Sequence, residues 1–139
     1  RLIRDLLGLL QESHTDYTIL FRELGSFSSA TGAANDKLRE HFVNRERFDD
    51  WAVRYRDRLR SENSQDVERR ERMNRVNPKY VLRNYLAQAA IEKAQQKDFS
   101  EIDRLFTLLQ NPYSDQPGMD AYAAPPPNWG KHLAVSCSS

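Results

Sequence analysis

A chain of 139 residues with 39% hydrophobic and 29% charged residues has the make-up of one globular domain, large enough to bury a core without a disulfide framework or a structural metal. A formal net charge of +1 gives no global field to draw in nucleic acid or an anionic membrane, and no apolar run approaches the roughly 20 residues that span a bilayer. A single cysteine, Cys137, excludes an internal disulfide, and without a secretory pattern at its start the chain reads as soluble and intracellular.

The sequence begins with Arg1 rather than Met, inside an apolar pattern of Leu2, Ile3, Leu6, Leu7, Leu9 and Leu10, as a piece of a longer chain would. Those steps of three and four predict an amphipathic helix, mildly interrupted by Gly8. Thr15 resembles the N-cap of a short second helix, Asp16 to Leu24, ended by Gly25. "GSFSSATGAA", residues 25–34, reads as a loop. Asn35 and Asp36 can start the next helix, and Phe48, Trp51, Ala52, Tyr55 and Leu59 fall on one face that should meet the core.

From Arg54 to Arg75 bases and acids alternate. Asp50 with Arg54, Asp66 with Arg70, Glu68 with Arg72 and Glu71 with Arg75 stand four apart in the favourable acid-first order, which predicts a solvated helical face. Asn77 followed by Pro78 reads as a helix start, leading into a central helix with Val81, Leu82, Tyr85, Leu86, Ala89 and Ala90 on its apolar side. Ser100 and Asp103 approximate a capping box for a last helix carrying Ile102, Leu105, Phe106 and Leu109, which Asn111 and Pro112 stop. Beyond it, four prolines and two glycines preclude a long helix, and Tyr113, Tyr122 and Trp129 are spaced like anchors of a strap. The expected architecture is all-α: a bundle of about five to six helices over residues 1–112, then an extended irregular arm over 113–139 ending in VSCSS.

Little in the chain carries chemistry. Glycines at 8, 25, 32, 118 and 130 are too scattered for a dinucleotide or phosphate loop, and His14, His41 and His132 show no metal-ligand spacing. Asp49 and Asp50 are adjacent and would diverge on a helix, so they read as a helix-terminal charge and a salt-bridging partner rather than an acid/base pair. The arginine-rich stretch, interleaved with acids, does not favour a nucleic-acid backbone. Cys137 has Lys131 and His132 upstream but no neighbour that must lower its pKa. Its place near the terminus argues against a buried structural thiol, because the 24 residues from Tyr113 to Ser136 could reach on the order of 80 Å when extended.

Three stretches carry a resemblance. "NPKYVLRNYLAQ" at 77–88, "QNPYSDQPGMDAYAAPPPNWG" at 110–130 and the closing "VSCSS" together look like the C-terminal end of the selenoprotein O family, also called SelO or YdiU. The match is close over about the last 65 residues, and residues 1–76 are compatible with the preceding helices. Lys97 stands where this family often has Gly before Asp98, a change to a helix terminus rather than to chemistry.

The resemblance implies the C-terminal part of a kinase-like fold, in a pseudokinase that uses ATP and Mg²⁺ or Mn²⁺ to transfer AMP to Ser, Thr or Tyr hydroxyls of proteins. It implies selenocysteine at the position of Cys137 in animal members and Cys in bacterial ones. That thiol would be a redox or disulfide candidate, with a partner cysteine in another part of the enzyme. The implied location is cytoplasmic for the bacterial Cys form and mitochondrial if the source is eukaryotic. No catalytic, cofactor-binding or metal-binding residue of the family falls in these residues, so the implied partners are the missing N-terminal kinase-like part and protein substrates, with no nucleic acid or membrane. The alternative is an independently folding helical module that only recruits proteins.

Overall fold

A computed structural model describes residues 1–127, and these are helical with no strand among the described residues. Among the described residues there are seven α-helices: α1 Leu2–Ser13, α2 Tyr17–Leu24, α3 Asp36–Arg39, α4 Arg45–Ser61, α5 Asp66–Asn74, α6 Asn84–Gln95 and α7 Ser100–Leu109. A 3-10 helix, Asp120–Ala123, follows. The chain divides into two compact units, Arg1–Asn77 and the residues from Pro78 onward.

In the first unit, α1 buries Leu6, Leu9 and Leu10, each contributing roughly 1.5–3 kcal/mol by leaving water. It packs against α4, whose Phe48, Trp51 and Leu59 are buried while Ala52 and Tyr55 lie partly covered on the same cluster. The Trp51 indole N–H donates to the Leu2 carbonyl at 2.9 Å, fixing the start of α1 on α4. Ring stacking continues the core: Phe42 on Phe48 at 4.7 Å and Trp51 on Tyr55 at 4.9 Å between centroids.

The boundaries here differ from the sequence reading in instructive ways. Asp16, not Thr15, caps α2, accepting from the Ile19 N–H at 3.0 Å; the Thr15 hydroxyl instead donates to the His41 carbonyl. Gly25 follows α2 in right-handed helical conformation, so its value is room rather than a positive φ. A Cβ there would sit 2.8 Å from Asn74 Oδ1. The segment 25–34 is irregular, as expected, but anchored: Phe27 is buried, Ser28 exchanges hydrogen bonds with the Asn35 side chain, and Ser29 is held by Asp66.

Helix formation from Asn35 lasts only through Arg39. The chain then turns so that Phe42 enters the core, and Asn44 caps a fresh helix by accepting from the Arg47 N–H. The charged stretch is likewise two helices, α4 and α5, separated by a turn in which Asn63 has φ 54°. This raises the helix number to seven. Among the described residues none of the four acid-first pairs forms an ion pair: Arg54 meets Asp5 and Asp66 meets Arg69 instead, while Arg58 pairs with Glu62.

In the second unit, α6 and α7 pack together around Leu86, Ala90, Leu105 and Leu108, with Tyr80 the most enclosed side chain of the cluster. Asn77-Pro78 does not start a helix. The N–H groups of Lys79 and Tyr80 both donate to the Pro112 carbonyl, which holds residues 78–83 outside helical geometry, and α6 begins only at Asn84. Val81 and Leu82 therefore precede the helix, and Leu82 is exposed. Ser100 is not a capping residue: its N–H and hydroxyl both donate to Asp98 Oδ1, at 3.0 and 2.7 Å. α7 does end at Leu109, before Asn111 and Pro112.

Candidate functional site

Cys137, together with Trp129 and His132, lies outside the described residues. What the structure does show is how the segment leading toward them is fastened. Residues 113–127 are irregular apart from the 3-10 helix, and side chains of Tyr80, Lys79 and α7 hold them in three places.

The Tyr80 hydroxyl accepts from the Gln116 N–H at 3.0 Å, and the Gln116 side chain donates to the carbonyls of Leu108 and Asn111 at 2.9 and 3.0 Å. Leu108 is among the last four residues of α7, whose carbonyls have no partner within the helix. The Lys79 ammonium donates to Asp115 at 2.8 Å and to Asp120 at 3.0 Å, and stands 5.5 Å from the Tyr80 ring centroid. Asp115, ahead of the opposing effect of burial, and then Asp120 hold the Lys79 pKa above the usual lysine range. Lys79 is therefore a charged fastener, not a nucleophile.

Third, the Tyr122 hydroxyl donates to Glu101 Oε2 at 2.7 Å, while Arg104 pairs with Glu101 Oε1 at 2.7 Å. Glu101 is buried, and both its oxygens are occupied. Burial pushes the Tyr122 pKa up, with Glu101 adding to the rise and Arg104 opposing it. A neutral phenol donating to a paired carboxylate is a structural joint. Of the three expected aromatic anchors, Tyr122 packs on the core cluster, Tyr113 is 45% exposed, and Trp129 lies outside the described residues.

The first unit contains a polar joint that sequence reading missed. The Arg69 side chain, 3% exposed, donates to Asp66 at 2.7 Å and to the Phe27 carbonyl, with its guanidinium 6.0 Å from the Phe27 ring centroid. Burial alone would raise the Asp66 pKa, but hydrogen bonds from Ser29 and Arg69 outweigh it and hold it below the usual carboxylate value. Beside this joint lies a cleft of about 350 Å³ bordered by Phe27, Asn35, Arg39, Asp49 and Arg56. Asp49 is engaged by Arg39 through two bonds, at 2.9 and 3.2 Å.

His14 ends α1 with φ 52°, and His41 Nε2 lies 2.5 Å from Glu23 Oε2. Among the described residues no group of three or more His, Cys, Asp or Glu side chains is placed to hold a metal ion, and no helix is long and apolar enough to cross a membrane.

These features define a helical region with two polar joints and a fastened C-terminal segment, all carried on an all-α framework. A family model described as "Protein adenylyltransferase SelO" matches residues 1–110, and the chain belongs to that family. It is 54% identical over 138 residues to the "Protein nucleotidyltransferase YdiU" of Myxococcus xanthus, covering 99% of this chain and 28% of that protein. It is 52% identical over 139 residues to the protein of the same name from Herminiimonas arsenicoxydans, again covering 28% of the relative. With the Cupriavidus pinatubonensis protein of that name the identity is 51% and the relative is covered over 26% of its length. The chain thus spans little more than a quarter of the curated relatives it matches.

Proposed function

We propose that this chain is the C-terminal helical region of an enzyme that transfers AMP from ATP, with a divalent metal, to hydroxyl groups of proteins. The observation that carries this reading is the family match over residues 1–110, joined to relatives named nucleotidyltransferases that are more than three times as long. On this reading the kinase-like part, with the nucleotide cradle, the catalytic base and the Mg²⁺ or Mn²⁺ ligands, belongs to the remainder of the polypeptide. These helices buttress it.

Cys137 then serves as a redox element. Its thiol and a second cysteine thiol of the full-length enzyme give up two protons, and two electrons pass to a cellular oxidant as the S–S bond forms. The two Cα atoms must approach within about 7 Å. The fastening of residues 113–127 by Lys79, Tyr80, Glu101 and Arg104 fixes the point from which the chain continues toward Cys137, so the partner thiol must lie within reach of that point.

Full-length protein incubated with α-labelled ATP, Mg²⁺ or Mn²⁺ and cellular proteins is expected to label protein with AMP. No transfer under any of these conditions would refute the catalytic reading. For the redox element, Cys137→Ser in the full-length protein should abolish the mobility difference between oxidised and reduced samples on non-reducing gels; an unchanged difference removes Cys137 from that role.

A further inference from the structure

Helix α7 has two apolar faces, and among the described residues only one is covered. Leu105 and Leu108 point into the core of the second unit, at 5% and 2% exposure. Phe99, Ile102 and Phe106 are 56%, 40% and 67% exposed. At about 100° per residue Ile102 and Phe106 fall within roughly 40° of each other, on a side of the helix different from the core-facing one, and Phe99 stands at the cap just before the first turn.

Nothing local accounts for the stripe. Phenylalanine is a poorer helix former than the Leu, Glu or Lys that would serve at an exposed site, so local propensity does not select it. Taking about 200 Å² for each large side chain, the exposed apolar surface is on the order of 300 Å², in the range where a monomer's largest patch is often functional. Exposed Asp103 borders it with a polar group, as the rim of a contact would. By contrast Val43, Val67 and Val76 are exposed singly on the other unit and need no explanation.

We propose that the Phe99–Ile102–Phe106 stripe is the surface on which the kinase-like part of the same polypeptide docks. The proposal rests on the reading above that such a part exists, and two observations select this occupant. This chain makes up about 28% of its relatives' length, so most of the polypeptide is available to cover the stripe. The patch is also well short of the roughly 800 Å² per partner that a stable dimer needs. A tethered segment of the same chain is not subject to that requirement, because its effective concentration is already high.

The test is cysteine accessibility in the full-length protein, read peptide by peptide by mass spectrometry after maleimide labelling. Phe106→Cys and Ile102→Cys should each react at least about 10-fold more slowly in the folded protein than in denaturant. Equal rates overturn the proposal. Protection that vanishes on dilution assigns the stripe to a second copy, and protection lost on truncation after Pro127 assigns it to this chain's own last residues; either result also overturns it. Should Phe106→Cys fail to fold, hydroxyl-radical footprinting of the unmodified protein reads the same side chain, and strong oxidation of Phe106 has the same meaning. Labelling reports packing and not AMP transfer, so an inert enzyme with a protected stripe would remove the catalytic reading alone.

Discussion

Replacing Arg69 with Met keeps the buried stem and removes the guanidinium, which makes Arg69→Met a direct probe of the polar joint in the first unit. The Phe27 carbonyl, in a residue 2% exposed, loses its donor, and a buried acceptor left without a partner costs about 1–3 kcal/mol. Asp66 loses less. Its side chain is 39% exposed and retains the Ser29 N–H and hydroxyl, so that half of the joint contributes at most about 1 kcal/mol. In the other direction, Arg69 Nε is itself buried without a partner, and Met removes that cost. The net expectation is a loss of about 2 kcal/mol. Urea unfolding of the chain followed by Trp51 fluorescence measures it, since Trp51 is 4% exposed in the same unit. Arg69→Lys should lose nearly as much, because one ammonium cannot reproduce the fork that reaches both Asp66 and Phe27. A change below about 0.5 kcal/mol for Arg69→Met would refute the reasoning.

Lys97 has φ 65°, a left-handed conformation that strains an L side chain, so Lys97→Gly should stabilise the second unit by about 1 kcal/mol in thermal unfolding; destabilisation would contradict that. The Asp66 carboxyl has a lowered folded pKa, so its contribution is fully present above its unfolded pKa of about 4 and is lost as pH falls through the folded value. Asp66→Asn should accordingly reduce the acid-side slope of stability against pH, and an unchanged slope would argue against the joint. Tyr122→Phe removes the donor to Glu101 and should cost about 1.5 kcal/mol, while faster proteolysis within residues 113–127 would show that the segment has come loose.

Where local periodicity and local caps decide the structure, the sequence was readable. The leucines of α1, the aromatic face of α4, the stop at Asn111-Pro112 and the all-helical class follow from spacing alone. Distant partners explain the departures. Pro78 reads locally as a first helical residue, but the Pro112 carbonyl takes the N–H groups of Lys79 and Tyr80, and that pairing is invisible at a separation of more than 30 residues. Arg69 was hidden among arginines with acids at helical spacing, and only the Phe27 carbonyl, 42 positions away, makes it a core residue. Gly25 was placed correctly at the end of α2, yet for crowding by Asn74 rather than for a left-handed turn. Lys97 carried a readable signal, a non-glycine where glycine is common, and its positive φ gives that signal a physical meaning. Cys137 lies outside the described residues, and its proposed role rests on resemblance to the family alone, since no neighbouring residue defines its chemistry.

On the function proposed above, labour is divided: these helices support a nucleotidyltransferase whose catalytic groups lie elsewhere in the polypeptide. The most direct measurement compares AMP incorporation into protein by the full-length enzyme and by this 139-residue chain under identical ATP and Mg²⁺ or Mn²⁺. Transfer by the full-length enzyme and none by the chain is the expected result. Clear transfer by the chain alone would contradict it.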